Sequence, residues 1–83
     1  MTQYAHKLVQ RAEGIWKGLG LCLTRKDSEE HDGCTSIVFR FYEISPAQAE
    51  LLVSYMANAF RRANVFWKTD DDGLKVCVEI PPM

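Results

Sequence analysis

His31, Asp32 and Cys34 fall within four consecutive positions of the chain, and Cys22 and Cys77 supply two further thiols. A thiol beside an imidazole, with a carboxylate between them, is raw material for nucleophilic catalysis: a base activates the thiol and a third group orients the base. Cys22, His31, Asp32 and Cys34 are also all donor types that zinc accepts. Neither use is expected. The cluster lies in the polar stretch 27–33 (DSEEHDG), read as a long hairpin loop, and a flexible loop does not preorganise a catalytic triad. Structural zinc draws its ligands from tight pairs such as Cys-x-x-Cys, and the chain contains none. His6, the other imidazole, falls on the polar side of a helix.

Two further patterns lead nowhere chemical. Asp70-Asp71-Asp72-Gly73 resembles the start of a calcium loop, but the bidentate Glu at loop position twelve is missing, so the run reads as a solvated turn. The five glycines are scattered, which leaves no phosphate-cradling loop. No catalytic residue, metal or cofactor is expected, and no enzyme activity.

Recognition is the chemistry that remains. Eighty-three residues make one domain, 1–83, and the formal charge of −1 excludes bulk-charge binding to polyanions as well as mimicry of nucleic acid. Hydrophobic residues at 47% argue against disorder. Three cysteines cannot all pair within one chain, which points to free thiols and a cytoplasmic setting. No apolar run approaches the ~20 residues of a bilayer span, and the N-terminus has no signal-peptide pattern.

The elements that must position any binding surface are legible from periodicity. Tyr4, Ala5, Leu8, Val9, Ala12, Ile15, Trp16 and Leu19 draw one apolar stripe on a helix over 3–19, ended by Gly18 and Gly20. Gly14 lies on the polar side, with no packing reason evident. Residues 21–26 alternate as a strand, and 35–44 (TSIVFRFYEI) is the stretch densest in β-branched and aromatic residues. Ser45-Pro46-Ala47-Gln48 holds a capping box and opens a second helix, expected to reach about Ala63. Strands follow at 65–69 and 74–80, joined by the Asp70–Gly73 turn.

The order α-β-β-α-β-β implies an α+β two-layer sandwich, a four-stranded antiparallel sheet with both helices on one face. A circular permutation of the ferredoxin-like order joins these elements by short connections and makes 35–44 and 74–80 the central strands. A simple meander is the alternative. Strand parity then assigns Leu21, Leu23, Ile37, Phe39, Phe41, Leu74, Val76, Val78 and Ile80 to the helix side. The uncovered side receives Cys22, Thr24, Lys26, Val38, Arg40, Tyr42, Ile44, Lys75, Cys77 and Glu79. Either Phe66 or Trp67 joins the core.

That uncovered face, mixing aromatic, aliphatic and basic groups, is the expected working surface of a small protein-binding regulator, adaptor or inhibitor. Its contact residues are Lys26, Val38, Arg40, Tyr42 and Lys75. Leu51, Tyr55, Asn58 and Arg62 form a second candidate on the flank of helix two, whose plainer use is packing on helix one. The partner is another protein or a second copy of the chain, with strand addition at the 65–69 edge a further route. Single-stranded RNA, stacked on the aromatics and held by the cations, is the alternative; Glu79 and the near-neutral charge count against it.

Overall fold

The computed structural model describes residues 3–82, and these follow the order α1 (Gln3–Gly18), β1 (Leu23–His31), β2 (Cys34–Phe41), α2 (Pro46–Ala59), β3 (Asn64–Asp70) and β4 (Gly73–Ile80). The four strands form one antiparallel sheet in the spatial order β1-β2-β4-β3. That order excludes the meander. It is the order obtained when the first strand of a ferredoxin-like chain is moved to its end, with β2 and β4 central.

Both helices cover the same side of the sheet. Ala5, Leu8, Ala12 and Trp16 of α1 and Leu52 and Met56 of α2 are buried in one cluster with Ile37, Phe39, Phe41, Val76, Val78 and Ile80. Trp16 anchors it, with ring centroids 5.1 Å from Phe39 and 5.4 Å from Phe41. Aromatic groups at that separation gain from their edge-and-face geometry in addition to the area they bury.

The helix ends follow from their local chemistry. At the end of α1 the Leu21 amide donates to Trp16 O at 2.9 Å and the Gly20 amide to Lys17 O at 3.0 Å. Gly20 has φ +75°, so this is a Schellman cap that glycine makes without strain. Leu21, the residue after it, is buried against the core. At the start of α2 the Gln48 amide donates to Ser45 Oγ at 3.2 Å and the Ser45 amide to Gln48 Oε1 at 2.8 Å, completing the expected capping box.

Three boundaries differ most from the sequence expectation. The stretch 27–33 is not a long loop: β1 continues to His31, and the chain reverses over Asp32 and Gly33 with φ of 52° and 81°. Positive φ at both central residues is the tight hairpin turn that Asp-Gly favours. The second half of β1, after Lys26, escaped notice because its residues are polar and exposed, so no apolar alternation marks it. Helix α2 ends at Ala59 instead of Ala63, although Phe60 and Ala63 still pack on the core. Strand β2 ends at Phe41, with Glu43 at φ 51° turning the chain inward. Ile44, expected on the uncovered face, therefore packs against the core.

Register settles the two remaining assignments. Trp67 lies opposite Val76 and joins the core side, whereas Phe66 lies opposite Cys77 on the uncovered side. In β1 an irregularity between Leu23 and Arg25 shifts the strand by one residue. A one-residue slip exchanges faces. Lys26, expected on the uncovered face, consequently sits opposite Phe39 on the helix side at the sheet edge, and Arg25, opposite Arg40, lies on the uncovered face instead.

Candidate protein-binding surfaces

The uncovered sheet face is populated from three strands and a bulged fourth. Its centre is apolar: Cys77 on β4 is flanked by Val38 on β2 and Phe66 on β3. Cys77 is only 6% exposed although it lies on the face opposite the helices. Burial pushes its thiol pKa up, so the thiol form is favoured.

The cations of this face are not free. Asp70, at the end of β3, reaches across β4 and receives Arg40 Nη2 at 2.8 Å and Nη1 at 3.3 Å. Lys75 Nζ stands 3.0 Å from the same carboxylate. A second contact fixes Asp70 from behind, the Asp72 amide donating to its Oδ1 at 2.9 Å. Hydrogen bonds from Arg40 and then Lys75 hold the Asp70 carboxyl well below the ordinary carboxylate range, and the same pair raises the Arg40 pKa. Further along, Arg25 pairs with Asp27 at 2.8 Å and Lys68 lies 5.9 Å from the Phe66 ring centroid.

By register, Arg25, Arg40, Lys68 and Lys75 share this face with Asp27, Glu29, Asp70 and Glu79. Charge is balanced, four cations against four carboxylates, and the Arg40 and Lys75 side chains are largely buried, 18% and 19% exposed. A face built this way is suited to water. Of the expected contact residues, Val38, Arg40 and Lys75 are brought together here, Lys26 is not, and Tyr42 lies in the turn beyond β2. Tyr42 is 64% exposed, its amide donating to Cys22 O at 2.9 Å. The residue that organises the site, Asp70, was absent from the sequence reading, which took it for part of a solvated turn.

The helical layer presents a different surface. Leu51 and Tyr55, one turn apart on α2, are 47% and 51% exposed. Tyr55 borders α1 while half of its surface stays open. Between the helices lies an open groove of about 310 Å³ lined by Gly14, Ile15, Gly18 and Leu19 of α1 and by Tyr55. Arg62 departs from expectation: with α2 ending at Ala59, it sits in the following turn, its guanidinium 5.0 Å from the Tyr4 ring centroid. This cation–π contact ties the start of α1 to the end of α2.

The catalytic and metal candidates stay at the surface. His31 and Cys34 pair across the hairpin next to its turn, both exposed, and His31 Nε2 lies 3.5 Å from Asp32 Oδ2. Among the described residues, no group of three or more His, Cys, Asp or Glu could hold a metal ion. Among the described residues, no helix is long and apolar enough to cross a membrane. No family model, curated protein or solved structure matches the chain.

Proposed function

We propose that this chain is a non-enzymatic protein-binding module, a regulator, adaptor or inhibitor that works by occupying a partner's surface from the cytoplasm. Its permuted ferredoxin-like scaffold supplies two faces, and the helical one is the better docking surface. One observation carries this reading: Leu51 and Tyr55 are half exposed on α2, and Tyr55 borders an apolar groove against α1. Exposed aromatic and aliphatic anchors beside a pocket are the usual core of a protein interface.

The sheet face plays the lesser part. Its cations are engaged by Asp70 and Asp27, so few remain to meet phosphates, and RNA affinity depends on releasing counterions with uncompensated charge. The test is capture of a partner from the source cells by the tagged protein, with Tyr55→Ala and Lys68→Glu as matched variants. Loss of the partner with Tyr55→Ala and retention with Lys68→Glu is the expected result. Loss with Lys68→Glu alone would return the working surface to the sheet.

A further inference from the structure

The groove between the helices constrains what kind of protein can enter it. Gly14 and Gly18 are one helical turn apart, and a Cβ placed at either would meet no atom within 4 Å. Nothing in the monomer requires glycine at Gly14, a residue type that weakens a helix interior. What the missing side chains leave is room for another backbone to approach, beside the apolar walls Ile15, Leu19 and Tyr55.

The same side of α1 becomes basic towards its N-terminus. Lys7, Arg11, Gly14 and Gly18 are spaced by four, three and four residues and so share one ridge. Arg11 lies about 10 Å along the axis from Gly18, at ~1.5 Å rise per residue. The helices contain two carboxylates, Glu13 and Glu50, and both are occupied, by Lys17 Nζ at 2.9 Å and by Trp67 Nε1 at 2.7 Å. Lys7, Arg11 and Arg61 have no carboxylate partner among the described residues. The helical layer is thus positive on a chain whose net charge is −1. A second copy would set this positive layer against itself, and like charges at an interface select against the pairing.

We propose that the groove receives an acidic amphipathic helix of a different protein. Small and apolar residues of that helix would lie against Gly14, Ile15, Gly18 and Tyr55, and Asp or Glu two to three turns along would meet Arg11 and Lys7. Apolar anchors at helical spacing in a groove, with complementary charge setting specificity, is an established recognition mode. The proposal rests on the helical docking surface argued above and adds the partner's chemistry.

The test is a displayed library of amphipathic 20-residue peptides whose flanking positions vary freely among Glu, Asp, Lys, Arg and Gln, selected on the full chain. Enriched sequences should be helical and acidic on one flank. Gly14→Leu, which fills the groove without harming the helix, should weaken binding about tenfold or more, and Arg11→Glu by about tenfold with loss of salt sensitivity. Enrichment of neutral or basic peptides, or binding indifferent to Gly14→Leu, would overturn the proposal, as would failure to enrich any peptide over a Gly14→Leu, Tyr55→Ala control. If cellular capture still depends on Tyr55, a protein docks on the helices but is not of this kind. A sizing-column mass twice the monomer's that reverts with Gly14→Leu, or RNA or anionic-vesicle binding abolished by Arg11→Glu, would also sink it.

Discussion

Asp70 holds Arg40 in a two-point contact, 2.8 and 3.3 Å, across the intervening strand β4. The pair joins an edge strand to a central one and takes in Lys75 on the way, at 3.0 Å. A four-stranded sheet with helices on one side must solve the problem of its bare face. Here the solution is internal: cations are matched by carboxylates beside Val38 and Cys77, and Lys68 lies over the Phe66 ring. This frees the sheet face from needing a cover and moves attention to the helices, where apolar groups remain exposed without such treatment.

The Asp70 cluster predicts an acid limb in stability. Its folded pKa is depressed by Arg40 and Lys75, so its contribution is complete above the unfolded carboxylate pKa, ~3.9, and is lost as pH falls below that towards the lower folded value. Asp70→Asn should flatten the decline of urea midpoint below about pH 4 relative to the parent chain. Its cost at neutral pH should exceed that of Asp71→Asn. Equal acid limbs in the two proteins would remove Asp70 from this role.

Thiol accessibility separates the two kinds of cysteine. Cys22 and Cys34 are exposed, whereas Cys77, on the uncovered sheet face, is buried and its pKa is raised by that burial. A chromogenic disulfide reagent at neutral pH should label Cys22 and Cys34 quickly and Cys77 only on unfolding. Asp70→Ala should speed Cys77 labelling in the native state, because Arg40 and Lys75 lose their anchor. Rapid labelling of all three thiols in the parent chain would show that the face is not self-covered.

Phe39 is the largest fully buried side chain among the described residues. It is fully buried on a central strand and packs with Trp16 and Phe41. Phe39→Ala should cost about 3–5 kcal/mol. That is a large share of the roughly 5–15 kcal/mol typical of a domain, and this chain is near the small end. Urea denaturation followed by tryptophan fluorescence would measure it; a loss below ~1 kcal/mol would mean that the cluster is not packed as described.

Much of this architecture could be read from the chain because apolar periodicity reports burial. The α1 stripe, the alternation of β2 and the capping box at Ser45 each left such a mark. Strand β1 left such a mark only up to Lys26, since its remaining residues are polar and exposed on an edge strand. The bulge that turns Lys26 to the helix side is set by pairing with β2, which no local pattern announces. Asp70 was missed for a related reason: its role depends on a reach across β4 to Arg40, thirty positions away in sequence. The turn signal Asp32-Gly33 was present and could have shortened the supposed loop to two residues.

Two glycines of the same helix region should respond to alanine with opposite sign, and the contrast tests the reading of the groove. A Cβ at Gly14 or at Gly20 meets nothing within 4 Å, so neither substitution creates a clash. Gly14 lies inside α1 with ordinary helical backbone, where alanine should stabilise by up to about 1 kcal/mol. Gly20 sits at φ +75° in the Schellman cap, where alanine enters the left-handed region and should destabilise by about 1 kcal/mol. The melting temperatures should move apart by several degrees, at ~4–8 °C per kcal/mol for a domain of this size. A gain at Gly14 would mean that the monomer would fold better without that glycine, which fits a residue kept small for something that docks there. A loss would show that Gly14 serves the fold itself, and the groove would then need no visitor to explain it.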